Sequence, residues 1–136
     1  MDKALIQAAK EARDRAYAPY SCFAVGAALE TADGQIFVGT NVENASYGAT
    51  ICAERVAFGA ALAAGKRTFA RIAILGGRVG ESHRACMPCG ICRQVMREFC
   101  DDGFEILTAE GEEIFRTTLS ALLPASFSAA SMEETT

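Results

Sequence analysis

No stretch of the 136 residues is apolar for long enough to cross a membrane as a helix, so no transmembrane segment is expected. The opening MDKALIQAAKE interleaves charge with apolar residues and contains no uninterrupted hydrophobic leader, so a cytoplasmic location is expected. Lys and Arg form no run. Thirteen basic against seventeen acidic residues give a net charge of -4 and a pI near 5.0. A nucleic acid polymer finds no evident electrostatic footprint in such a chain, and a small uncharged partner is the easier fit.

What the sequence does contain is six cysteines. In a reducing compartment these point to a metal site or buried thiols rather than to disulfides. The length is that of one ordinary domain able to bury a core without staples, and we expect a single domain over 1–127 with a flexible polar tail over 128–136.

Hydrophobic spacing predicts a first helix over 2–17, closed by Pro19, then strands over 23–31 and 35–43 separated by the turn Ala32-Asp33-Gly34. The Ala-rich segment 50–65 reads as a second helix with Gly65 as its C-cap. A strand over 70–77, a loop, and a third helix over 89–100 opened by Pro88 follow. Strands over 104–108 and 113–117 and a helical turn over 118–122 complete the order. This succession predicts an α/β fold: a three-layer α-β-α sandwich around a mixed five-stranded sheet.

The strongest chemical signal is Cys52-Ala53-Glu54 together with Pro88-Cys89-Gly90-Ile91-Cys92, each at a predicted helix start. Cys89 and Cys92 are three apart and share a helix face, so both sulfurs can reach one ion, with Cys52 arriving from the neighbouring helix. Positive potential at helix N-termini favours thiolate over thiol. Three protein ligands suit one Zn²⁺ per chain and leave the fourth position open, the mark of a catalytic rather than a structural zinc. Glu54 lies about 200° around the axis from Cys52, yet at a helix start its side chain can still lean toward the ion's surroundings and act as a general base. A structural zinc knuckle, with His83 or Cys86 as a fourth ligand, and a thiol redox motif are the competing readings; the second leaves Cys52 and Glu54 without a task.

The segments CAE, PCGICRQ and YSCFAVGAAL resemble the small tetrameric cytidine deaminases, over about residues 11 to 127. The resemblance implies hydrolysis of the exocyclic amine of a free pyrimidine nucleoside. Glu54 would take a proton from the attacking water, give one to N3 of the ring, and carry one to the departing amine. It further implies that Asn41 and Glu43 bind the sugar hydroxyls, that Phe23 lines the pocket beneath base or sugar, and that the backbone of Ala53 faces the base. Tyr47 and Phe127 would reach the site of an adjacent subunit, which makes the protein a homotetramer with shared active sites.

Three thiolates on a dication leave a charge of -1, and Arg55 is the expected donor to a ligand sulfur that offsets it; an exposed helix arginine is the plainer alternative. Phe23 as core, Asn41 and Glu43 as a polar strand edge, and Phe127 as a packing anchor are the corresponding alternatives for the pocket residues. Cys22 and Cys100 read as small apolar residues, His83 as a loop residue, and Cys86 as a thiol able to misligate zinc. Rival activities are deamination of another cytosine-like nucleoside, as in the blasticidin-type relatives, or of a polynucleotide. A zinc-stabilised scaffold would need no Glu54.

Overall fold

The computed structural model describes residues 2–133, and the last three residues of the expected tail lie outside that range. Helices α1 (Asp2–Arg13), α2 (Ala53–Ala63), α3 (Gly90–Phe99) and α4 (Leu119–Leu122) accompany strands β1 (Gly26–Thr31), β2 (Ile36–Thr40), β3 (Phe69–Gly76), β4 (Arg84–Ala85), β5 (Glu105–Glu110) and β6 (Glu113–Thr118). The sheet runs β2-β1-β3-β5-β6, with the two-residue β4 paired to β3. Only β3 and β5 are parallel; the other pairs are antiparallel. A parallel pair needs a long crossover, and α3 lies in it. The sheet is therefore mixed and layered between helices, as the sequence implies.

Side-chain alternation along the strands divides the core in two. Ala28, Ala73, Leu75, Leu107 and Ala109 pack with Leu5 and Ala9 of α1 on one face. Ala27, Leu29, Ile72, Ile74 and Ile106 pack on the other with Ala53, Ala57, Phe58 and Ala61 of α2, Met96 of α3 and Leu119 of α4. Two glycines set how closely the helices approach. A Cβ on Gly26 would stand 2.1 Å from the Ala9 carbonyl oxygen, and one on Gly39 would stand 2.3 Å from that of Ala53. Bare backbone thus lets α1 and the first turn of α2 lie directly on the sheet.

The strand register explains where a site can form. Gly26 at the start of β1 is opposite Thr40, the last residue of β2, and also opposite Leu75 near the end of β3. The chain therefore leaves β2 and β3 at the same sheet edge, and the helices that follow, α2 and α3, both begin there.

Four boundaries differ from the sequence-based expectation by three residues or more: the end of α1, the start of β1, the end of β2, at Thr40 rather than residue 43, and the start of α2, at Ala53 rather than residue 50. Helix α1 stops at Arg13 rather than at residue 17, because Tyr17 pairs with Val42: Tyr17 N–H donates to the Asn41 carbonyl at 3.1 Å and Glu43 N–H to the Tyr17 carbonyl at 2.9 Å. Strand β1 begins at Gly26 rather than at residue 23, because the Asn41 side chain takes the place of ladder bonds before it. Residues Ala129–Met132 form a short 3-10 turn capped reciprocally by Ser128 and Ser131. No helix among the described residues is long and apolar enough to cross a membrane.

Candidate metal centre and its surroundings

Cys52 and Cys89 are the N-caps of α2 and α3, both in extended backbone conformation, and neither thiol makes a side-chain capping hydrogen bond to its helix. Their sulfurs are thereby free to meet at the shared sheet edge. Cys52 Sγ lies 3.8 Å from Cys89 Sγ, and Cys89 Sγ lies 3.5 Å from that of Cys92, a buried residue in the first turn of α3. All three sulfurs fall within 4.8 Å of one another, and among the described residues this is the one group of three such donors. A tetrahedral ion with Zn–S bonds of about 2.3 Å requires sulfurs about 3.8 Å apart, so the donor set fits zinc in both type and spacing.

The expected fourth-ligand rivals stand elsewhere. His83 Nε2 lies 3.2 Å from the Gly111 carbonyl oxygen, and Cys86 is not among the clustered thiols. Three protein donors leave one coordination position for a further group. Burial pushes the Cys86 thiol up to about 11, and the negative charge of Glu54, Cys52 and Cys89 nearby adds to the effect. Burial likewise raises Cys100 to about 12. Cys22 is exposed rather than a core thiol, its backbone held at φ 59°.

In the metal-free chain the Cys52 thiol is lowered to about 5, first by the hydrogen bond from the Cys92 thiol and then by Arg55 and Cys89. Cys92 is pushed upward in turn, as the proton donor of that pair and by burial. The Arg55 guanidinium supplies a fixed positive charge: Nη2 is 3.8 Å from Cys52 Sγ and 3.4 Å from the Thr50 carbonyl oxygen. Glu54, in the first turn of α2, is 4% exposed. Burial raises its carboxyl to about 7, and the adjacent Cys52 charge raises it further. A carboxyl poised near neutrality beside a three-thiol cluster can both accept and return a proton.

Asn41 and Glu43, two residues apart beyond the end of β2, are turned toward the segment that precedes β1. The buried Asn41 carboxamide accepts from Val25 N–H and donates to the Phe23 carbonyl, both at 2.8 Å. The Glu43 carboxylate accepts from Tyr20 N–H at 2.9 Å, from Ser21 N–H at 3.1 Å, and from the Ser21 hydroxyl. These donors, the Ser21 hydroxyl foremost, hold the Glu43 carboxyl below its ordinary range. Ser21 itself went unread in the sequence. Its place two residues before Phe23, whose N–H it accepts at 3.0 Å, is the local signature of a serine turn that could have exposed it.

The remaining expected residues surround this edge without closing over it. Phe23 pairs with Arg78 just past β3, and its side chain is partly exposed. Ala53 is fully buried. Tyr47 is 75% exposed, its ring edge-on to Tyr20 at 6.0 Å, above a cleft that Glu43, Asn44 and Thr50 also line. Phe127 is 60% exposed, with its carbonyl held by Gln94 Nε2 on α3 at 2.8 Å. Large aromatic surface left in water beside a polar site is surface available to a partner.

Residues 1–108 match the family described as the cytidine and deoxycytidylate deaminase zinc-binding region. The chain is 46% identical over 125 residues to a cytidine deaminase of Sporosarcina psychrophila, covering 91% of this chain and 89% of that one. It is 44% identical over 131 residues to a cytidine deaminase of Halalkalibacterium halodurans, covering 96% of each. Its fold superposes on the crystal structure of cytidine deaminase from Burkholderia pseudomallei with a TM-score of 0.84 and 51% identity, over 93% of this chain and 99% of that one.

Proposed function

From the premise that this chain belongs to the cytidine and deoxycytidylate deaminase zinc-binding family, we propose that it is a cytidine deaminase, hydrolysing cytidine and 2′-deoxycytidine to uridine and 2′-deoxyuridine with release of ammonia. The observation that carries this reading is the buried Glu54 one residue beyond Ala53 from a three-thiol cluster whose sulfurs already stand at zinc-binding distances.

Cys52, Cys89 and Cys92 would hold one Zn²⁺ per chain, and zinc when bound supplies the Lewis acidity that lets water attack an aromatic ring carbon at neutral pH. Glu54 takes a proton from the attacking water, delivers one to N3 of the ring, and then carries one to the leaving amine. Its burial in the first turn of α2 raises the carboxyl in the metal-free chain, the direction that suits a group that must hold a proton before delivering it. Arg55 offsets the charge of the thiolates through its contact with Cys52. Phe23 provides an apolar wall for base or sugar, the Ala53 backbone faces the base, and Asn41 and Glu43 receive the sugar hydroxyls with the hydrogen-bonding capacity their backbone contacts leave free.

The same reading makes the protein a cytoplasmic homotetramer in which Tyr47 and Phe127 each complete the site of a neighbouring subunit. Their exposure beside the polar edge supports this. Free nucleoside, rather than a polynucleotide, is the substrate that an acidic chain with a net charge of -4 accommodates.

The test is ultraviolet absorbance of cytidine with the purified protein and with Glu54→Gln, zinc being quantified in both. We expect about one zinc per chain in each and loss of the cytidine spectrum with the unaltered protein alone. A zinc-loaded protein that leaves the spectrum unchanged would remove the proposed activity, and turnover by Glu54→Gln would remove the role of Glu54.

A further inference from the structure

Gly76 ends β3 at the sheet edge where the thiols gather, and it is flanked on two sides. A Cβ placed on it would stand 2.9 Å from Cys86 Cβ, 2.9 Å from Phe23 Cζ and 3.0 Å from Phe23 Cε2. The ring of Phe23 therefore lies on bare backbone, at a distance that any side chain at position 76 would deny it.

The two flanks do not yield equally. Cys86 is held by its N–H, which donates to Thr108 Oγ1 at 2.8 Å, and by the adjoining pairing of Ala85 and Arg84 with Leu75 and Gly76. The Phe23 backbone is held as well: its carbonyl accepts from Asn41, its N–H donates to Ser21, and the next residue, Ala24, donates to the Gly77 carbonyl at 2.8 Å. What remains free to move is the Phe23 ring. It is 38% exposed, so unlike its backbone it has solvent on one side into which it can turn.

We propose that Gly76 is a positioning residue that shapes the substrate pocket by letting the Phe23 ring approach the backbone at the end of β3. This rests on the proposed nucleoside site, of which Phe23 is one wall. A methyl at position 76, caught between a fixed Cβ and a movable ring, turns the ring outward and narrows the space for base or sugar. The effect falls on substrate binding rather than on proton transfer, because the atoms nearest to a Cβ at position 76 belong to Phe23 and Cys86, not to Glu54 or the three clustered cysteines.

The experiment is a double-mutant cycle of Gly76→Ala and Phe23→Leu on the zinc-loaded protein, reading KM and kcat for cytidine, zinc content and thermal midpoint. Leucine keeps an apolar wall but lacks the Cζ and Cε2 atoms that the new methyl would meet. We expect Gly76→Ala alone to raise KM about tenfold with kcat within about twofold. In the Phe23→Leu background the same change should alter KM by less than about twofold. Equal losses in both backgrounds would overturn the proposal, as would a fall in kcat with KM unchanged. Should Gly76→Ala alone be too unstable to purify, the cycle is repeated with Cys86→Gly in all four proteins, so that only the Phe23 contact remains: recovery of a folded, zinc-loaded protein by Phe23→Leu in that background supports the contact, and equal instability refutes it. If the unaltered zinc-loaded protein does not turn over cytidine, the nucleoside reading fails by itself. The thermal midpoints of the four proteins then still report whether Gly76 and Phe23 are coupled.

Discussion

Asn41→Ala tests whether the segment carrying Phe23 is held by one side chain. The carboxamide makes two hydrogen bonds of 2.8 Å to backbone groups that have no strand partner at that point, and it is itself buried. Alanine leaves Val25 N–H and the Phe23 carbonyl without that partner and opens a small void. A buried polar group left unsatisfied costs about 1–3 kcal/mol, and partial access of water to this edge favours the lower half, so a loss of about 2–4 kcal/mol is expected. At this chain length roughly 4 °C of thermal midpoint accompanies each kcal/mol, which predicts a fall of about 8–16 °C. Asn41→Asp sharpens the test. A carboxylate can still accept from Val25 N–H but opposes the Phe23 carbonyl, acceptor against acceptor, so aspartate should recover little of the loss despite its near-identical shape. Thermal unfolding of zinc-loaded protein at fixed concentration is the assay. A midpoint within about 2 °C of the unaltered protein for Asn41→Ala, with activity lost, would refute the structural clamp and leave Asn41 only a ligand contact.

The Glu43 carboxyl is held below its ordinary 4.5 by the Ser21 hydroxyl and the Ser21 and Tyr20 N–H groups, so its stabilising effect is present above pH 4.5 and fades as pH falls through the lowered folded value. The stability difference between unaltered protein and Glu43→Gln, followed by urea denaturation, should therefore be constant near neutrality and shrink below pH 4.5; a difference that grows on acidification contradicts it. In the metal-free protein at pH 7, Cys52, lowered to about 5, should be alkylated well before Cys86 and Cys100, raised to about 11 and 12, as mapped by mass spectrometry. Early labelling of Cys86 would count against the charge distribution of the cluster. Gly39→Ala and Gly26→Ala each drive a Cβ into helix backbone, and each should cost about 3 kcal/mol or more. Only Gly39→Ala displaces the helix start that carries Cys52, so it alone should also weaken zinc retention against a chelator; equal zinc loss in both would deny that distinction.

Local pattern made the helices, most strands and the three-cysteine cluster legible, because their cues lie within a few residues of one another. Gly65 is an example: its position after an Ala-rich run announces a cap, and the structure closes α2 there with Gly65 at φ 89° and Lys66 N–H returning to the Ala61 carbonyl. The misplaced boundaries were set by partners distant in sequence. Tyr17 continues a helical spacing, yet its backbone is claimed by Val42 and its neighbours, and nothing around residue 17 announces that pairing. The residues preceding β1 have strand-like composition, but the Val25 N–H and the Phe23 carbonyl bond to the side chain of Asn41. The two-residue β4 is similarly invisible, since it exists only through its pairing with β3.

The same contrast explains why one part of the site was readable and another was not. A single helical turn, Cys52 to Arg55, places a thiol, a buried carboxyl and a guanidinium together, because successive residues at a helix start fan around one end of the axis. Its chemistry is compact in sequence because it is compact in space. The proposed pocket wall instead draws on Ser21, Phe23, Asn41 and Gly76, from three segments brought together by the register that sets Gly26 opposite both Thr40 and Leu75. The register that brings the two helix starts to one edge also brings these residues together, so the geometry proposed for substrate contact follows from strand pairing rather than from any motif.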